Sequence, residues 1–183
     1  MAPRLFNVPN QLTLLRLGFL PLFLILIIYD HYGWGLAVLS IAAVTDGLDG
    51  LLARRLNQRT AIGAYLDPIA DKMLLSSSFL VLALKGKIHW WVTVVVLARD
   101  GMLLTTAVVI ILVAGYRRFP PSIYGKITTA VQIILVFVVV TQAALPAEGL
   151  DSVQTVLRYT VAFFTCFSGL HYSVTVARRL SGS

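Results

Sequence analysis

The sequence predicts an all-α integral membrane protein of six transmembrane helices, preceded by a short interfacial segment. Three observations predict it. Of 183 residues, 58% are hydrophobic and only 13% charged, and the mean hydropathy of +0.84 lies far from the balance of a soluble domain. Six apolar stretches, at 11–29, 34–54, 60–84, 88–114, 124–145 and 152–178, are separated by loops that carry Gly, Pro or charge. A spanning helix needs about 20 apolar residues, so this length holds about five to seven spans and little else. The third observation is that the loop cations gather on one side, as described below. Residues 1–183 read as a single membrane domain, with no internal repeat, low-complexity segment or interdomain linker.

Taken in order, segment 1–10 carries Pro3, Asn7, Pro9 and Asn10, which make it too polar and too broken to span, so it is expected to lie at the interface. Its basic start followed by an apolar run is what a leader peptide would show. Arg16 and Pro21 interrupt that run and no small-residue cleavage site precedes the next stretch, so it is read as mature sequence. Trp34, Trp90 and Trp91 fall at expected membrane boundaries, where an aromatic belt accounts for them. His31, His89 and His171 share no spacing with one another or with the acids and are assigned no role.

Ten cations, Arg4, Arg16, Arg54, Arg55, Arg59, Arg117, Arg118, Lys126, Arg178 and Arg179, fall on one face of a six-span plan; Lys85, Lys87 and Arg158 sit near the other. The positive-inside rule then puts both termini in the cytoplasm or its topological equivalent. The net charge of +7 follows from this bias, so the partner expected is anionic membrane lipid and not nucleic acid. Cys166 is the only cysteine, which excludes an intrachain disulfide and leaves no thiolate or redox motif.

Of only eight Asp and Glu residues, five (Asp46, Asp49, Asp67, Asp71 and Asp100) fall within or at the ends of the expected spans. A charge near the bilayer centre costs about 2.5–3.5 kcal/mol even on lenient insertion scales, and clustered carboxylates repel one another. Asp46 and Asp49 are three apart at the end of the second helix, and Asp67 and Asp71 are four apart near the start of the third, so each pair shares a helix face. The turn from Arg55 to Thr60 is short, which makes the two helices antiparallel neighbours whose pairs face each other. A cage of four hard oxygen ligands suits Mg²⁺ or Mn²⁺, and with room for two divalent cations it suits phosphoryl chemistry. Zinc is disfavoured because no Cys or His accompanies the acids.

Small residues continue these faces, with Gly50 and Ala53 following Asp46 and Gly63 preceding Asp67. They leave space for a bulky ligand such as a nucleotide diphosphate, whose phosphate charge Arg54 could meet; small-residue helix packing is the alternative. Pro68 removes a backbone hydrogen bond beside the cage and should kink or loosen the third helix.

Written out, Asp46 to Asp71 is DGLDGLLARRLNQRTAIGAYLDPIAD. It resembles the signature of the CDP-alcohol phosphatidyltransferases, D-x2-D-G-x2-A-R-x8-G-x3-D-x3-D, at all eight fixed positions. The resemblance implies a homodimer of six-helix protomers in a bacterial inner membrane, or a mitochondrial one, with the active site on the cytoplasmic or matrix side. It implies Asp46, Asp49, Asp67 and Asp71 as ligands of two divalent ions, with Asp71 also the catalytic base. It further implies that Gly50, Ala53, Arg54 and Gly63 line the CDP-lipid site, and Thr13 and Arg16 lie in a region that borders the nucleotide. The reaction implied is transfer of a phosphatidyl group from CDP-diacylglycerol to an alcohol with release of CMP.

Within the family, NVPNQLTLLR, NQRTAIGAYLDPIADK, LARDGML and GKITTAVQ are most similar to the CMP-forming cardiolipin synthases, whose acceptor is phosphatidylglycerol. The phosphatidylglycerophosphate synthases, which use glycerol 3-phosphate, share much of this, but a glutamate is expected there after the arginine of the fourth helix. Here Asp100 follows Arg99. Both acceptors carry phosphate, so Arg99, Lys126, Arg117 and Arg118 are candidates for its pocket, with topology-setting loop charge the competing explanation for Arg117 and Arg118. A divalent-cation transporter would also place carboxylates in the membrane. It would want polar residues through the whole thickness, whereas Leu36 to Ile41 and Phe79 to Leu84 are apolar. An inactive scaffold of the same fold should have lost an aspartate, and none is missing.

Overall fold

The computed structural model describes residues 8–56, 61–114 and 123–181, with side chains described for 18–45, 72–106 and 123–172. Six helices make up the described chain: α1 (Val8–Ile28), α2 (Tyr32–Leu56), α3 (Ala61–Leu84), α4 (Trp90–Ala114), α5 (Ile123–Ala144) and α6 (Leu150–Ser181), and among the described residues there is no strand. Each expected apolar stretch corresponds to one helix, with every end within three residues. The first helix starts earlier than the sequence suggested. Pro9 and Asn10, expected in the segment ahead of it, lie in its first turn, where a proline's missing N–H leaves no hydrogen bond broken. The rest of that segment, residues 1–7, lies outside the described residues.

Two tight closures end α1 and α3 on the same side. In α1 the His31 N–H donates to the Leu26 carbonyl (2.8 Å) and the Asp30 N–H to that of Ile27 (3.1 Å), with Asp30 left-handed at φ 62°. In α3 the Lys87 N–H donates to Leu82 (2.8 Å) and the Gly86 N–H to Ala83 (3.0 Å), with Gly86 at φ 68°. Both satisfy carbonyls that the helix end would orphan, and the left-handed residue makes the double bond geometrically possible. Lys85 then joins the two ends, donating to the Ile28 carbonyl (3.2 Å) and to the Asp30 carboxylate (2.7 Å), which also accepts from the Tyr32 hydroxyl (2.7 Å). The bonds from Lys85 and then Tyr32 hold the exposed Asp30 below the ordinary carboxylate range.

Between these ends, α1 packs on α2 and α3; α5 packs on α2, α3 and α6; and α4 joins α3 to α6. The core runs through Phe23 and Ile27 of α1, Phe79 and Leu82 of α3, Val92 of α4 and Leu135 of α5, all fully buried. α1 and α2 approach closely at Gly35, where a Cβ would come within 2.8 Å of Ile27 Cδ1. Large apolar side chains such as Ile25, Trp34, Val94, Ile134, Phe163 and Leu170 stand exposed on the outer surface. Among the described residues, α5 is the one helix long and apolar enough by itself to cross a membrane.

The inward registers matter for the site. On α2 the buried positions are Gly35, Leu39 and Ala42, and the same 3–4 spacing leads on to positions 46 and 49. On α3 they are Leu75, Ser78, Phe79, Val81, Leu82 and Ala83, of which Leu82, Ser78 and Leu75 share the 3–4 spacing that leads back to positions 71 and 67. The expected meeting of α2 and α3 falls at residues 46–71, whose side chains lie outside the described residues. Over Tyr32–Thr45 and Lys72–Leu84 each packs on α1 and on α5.

Candidate active site

The backbone places Asp46 and Asp49 in the C-terminal part of α2, and Asp67 and Asp71 in the N-terminal part of α3, at the ends that residues 57–60 connect. Gly50, Ala53 and Arg54 follow on α2, Gly63 precedes on α3, and Thr13 and Arg16 lie on α1. The side chains of all these residues, and Arg117 and Arg118 entirely, lie outside the described residues. The donor set fits a hard divalent cation in its chemistry. It consists of carboxylates alone, two per helix, with no sulfur or imidazole in either run.

The described interior next to this stretch is polar and charged. Lys72, directly after Asp71, pairs with Asp100 of α4. The same Asp100 oxygen accepts from Arg99 Nη1 at 2.8 Å, and its other oxygen from the Ser76 hydroxyl at 3.4 Å. Arg99 Nη2 reaches the Ser168 hydroxyl of α6 at 3.0 Å, while its Nε is buried with no partner among the described residues. Arg99 and Asp100 are 7% and 3% exposed, so two cations share one buried carboxylate and α3, α4 and α6 are tied at one level. Removing one partner from a buried pair costs about 3–5 kcal/mol, because the other charge is left uncompensated.

The polar interior continues between α5 and α6. The Thr128 hydroxyl donates to the Phe164 carbonyl at 3.1 Å and Gln132 Nε2 to the Thr165 hydroxyl at 3.4 Å, both from fully buried positions. Lys126 is exposed near the start of α5. Among the described residues α4 and α5 do not pack together, so the structure does not bring Arg99 and Lys126 side by side.

Sequence reasoning passed over Lys72, Ser76 and Ser168. Lys72 could have been found. It is a cation inside an apolar helix with Pro68 and Ser76 at i±4 and no acid at i±3, so its counter-ion has to come from another helix.

Comparisons with known proteins identify the family. The profile of the CDP-alcohol phosphatidyltransferases matches residues 6–167. A Mycobacterium tuberculosis protein named probable phosphatidylglycerophosphate synthase is 35% identical over 190 residues, covering 98% of this chain and 86% of its own. A Streptomyces coelicolor protein named cardiolipin synthase (CMP-forming) is 39% identical over 137 residues, covering 69% of this chain and 61% of its own. A Bacillus subtilis protein named CDP-diacylglycerol--glycerol-3-phosphate 3-phosphatidyltransferase is 31% identical over 185 residues, covering 92% and 94%. With the profile spanning all six helices but the end of the last, and the four aspartates at the family's spacing, this chain belongs to the CDP-alcohol phosphatidyltransferase family and is an enzyme of that class.

Proposed function

We propose that this enzyme transfers the phosphatidyl group of CDP-diacylglycerol to a hydroxyl of phosphatidylglycerol, giving cardiolipin and CMP. The observation that carries the choice of acceptor is Asp100, an aspartate where glycerol 3-phosphate enzymes are expected to have glutamate, held in the buried group with Lys72, Arg99 and Ser76. Glycerol 3-phosphate is the second reading. It is favoured by the fuller coverage of the two relatives named for that product or acceptor.

In this reading Asp46, Asp49, Asp67 and Asp71 hold two divalent ions, Mg²⁺ or Mn²⁺, as the family generally uses divalent metal. Held there, such ions would supply charge to offset that of the diphosphate and of the departing CMP. Gly50, Ala53 and Gly63 leave room for the nucleotide, bordered by Thr13 and Arg16, and Arg54 meets its phosphate. The acceptor oxygen attacks the β-phosphorus as Asp71 takes its proton. The bond from that phosphorus to the bridging oxygen breaks, and CMP leaves with the electron pair. Arg99, Lys126, Arg117 and Arg118 are the candidates for the acceptor phosphate, Arg99 through Nε, which has no partner among the described residues.

The purified protein supplied with CDP-diacylglycerol and Mg²⁺ or Mn²⁺ is expected to release CMP at least about tenfold faster with phosphatidylglycerol than with glycerol 3-phosphate. The reverse preference would replace the first reading by the second.

We place all six helices across the membrane as one domain over 1–183, in a homodimer in a bacterial inner membrane, with both termini on the cytoplasmic side. The apolar outer surface and the bias of loop cations support this. Impermeant thiol reagents, in a Cys166→Ala background, are expected to label Asn57→Cys and Lys87→Cys from opposite sides. Labelling of both from one side would sink the six-span plan.

A further inference from the structure

We infer that Asp100 is a positioning residue which draws the Lys72 ammonium toward α4 and so keeps it off the metal-binding carboxylates. The inference rests on the metal reading above.

The reason lies in where Lys72 stands. It follows Asp71 directly on α3, and its long flexible stem ends in a compact charge that pairs with whatever carboxylate is nearest. An ammonium that settled among the four aspartates would cancel part of the charge that attracts a divalent ion and would occupy its oxygens. Its own helix offers Lys72 no acid at i±3 or i±4, so nothing local restrains it. The restraint comes from α4. Asp100 is buried, its side chain 5% exposed, and it receives Lys72 on one oxygen and Ser76, one turn further along α3, on the other. Adjacent helical positions diverge by roughly 100° around the axis. The Lys72 and Ser76 face therefore meets α4, while position 71 belongs to the register of Leu75, Ser78 and Leu82.

Arg99 gives a second sign that Asp100 is there for Lys72. Its Nη1 shares the same Asp100 oxygen, yet its Nη2 has Ser168 as well. Among the described residues Lys72 has Asp100 alone. Loss of the Asp100 charge thus leaves Arg99 with a partner and sets Lys72 loose.

The test is Mn²⁺ binding to the full-length protein in lipid nanodiscs, read by electron paramagnetic resonance, beside CMP release. Asp100→Asn is expected to weaken Mn²⁺ binding at least about tenfold, the effect of one unit charge about 6 Å from a divalent ion even at the dielectric of bulk water. Lys72→Met added to Asp100→Asn should restore it to within about threefold of the parent, and Asp100→Glu, which keeps the charge, should stay within the same range. A merely structural tie between α3 and α4 predicts no such restoration, because the second change removes a further partner. If Asp100→Asn binds Mn²⁺ like the parent, or if the double variant binds as weakly as Asp100→Asn, the inference is overturned while the metal reading stands. Should Asp100→Asn not fold, the double variant and Asp100→Glu decide: Mn²⁺ binding weakened tenfold in either overturns it. A parent that releases CMP yet binds no Mn²⁺ overturns the metal reading and this inference together.

Discussion

Asp71→Asn is expected to lower turnover about 10²–10⁴-fold, the usual worth of a general base, while CDP-diacylglycerol affinity stays within a few-fold of the parent. The amide keeps the shape of the carboxylate and one oxygen that can serve as a ligand, but it has no basicity near neutral pH. The acceptor hydroxyl then has to attack with its proton still attached. Arg54→Ala should divide the two quantities the other way. It removes a charge-assisted contact to phosphate, so affinity for the CDP-lipid falls more than the rate of the bound complex. Measuring CDP-diacylglycerol affinity beside single-turnover CMP release separates the cases. Should Asp71→Asn keep turnover within a few-fold of the parent, the base must be sought elsewhere, with Asp67 the next candidate.

The fold was legible because an apolar chain is punctuated by what hydrocarbon excludes. Gly, Pro and charge delimit the stretches, and α3 and α4 end at the residues expected, Leu84 and Ala114. Pro9 misled because a proline reads as a helix breaker, although in a first turn it interrupts nothing. The closure of α1 was hidden for a different reason. Its left-handed residue is Asp30, where composition alone would look for glycine.

The acids of the site could be read from their spacing, since positions three or four apart on a helix share a face whatever the tertiary arrangement. What surrounds them could not. That α1 and α5 are the surfaces α2 and α3 share over their described parts has no local pattern behind it. Lys72, Ser76, Asp100, Arg99 and Ser168 come from three helices, and no local pattern announces a charge group assembled across that many. Arg99 shows the effect on a role. Read alone it is a free guanidinium for phosphate, whereas in place both of its Nη atoms are engaged, by Asp100 and Ser168, and among the described residues Nε is the one of its nitrogens with no partner.

Chelation of divalent metal is expected to bring CMP release down to background, and adding back Mg²⁺ or Mn²⁺ to restore it. Four carboxylates brought together by the pairing of their helix positions would repel one another unless a cation gathered them, and the Lys72 ammonium is engaged with Asp100. The diphosphate of the substrate brings more negative charge to the same place. A loss at least as large as that of Asp71→Asn is therefore expected, because without the ions both the charge on the leaving CMP and the repulsion between substrate and site go unmet. Asp46→Asn, Asp49→Asn and Asp67→Asn should each act in the same direction by degrees. An amide oxygen is a weaker ligand than a carboxylate, so each variant should need more metal for half-maximal rate as well as running slower at saturation. A metal titration of CMP release for the three variants reads both effects. Activity that survives exhaustive chelation, or variants whose metal requirement matches the parent's, would show that these aspartates do not hold the ions.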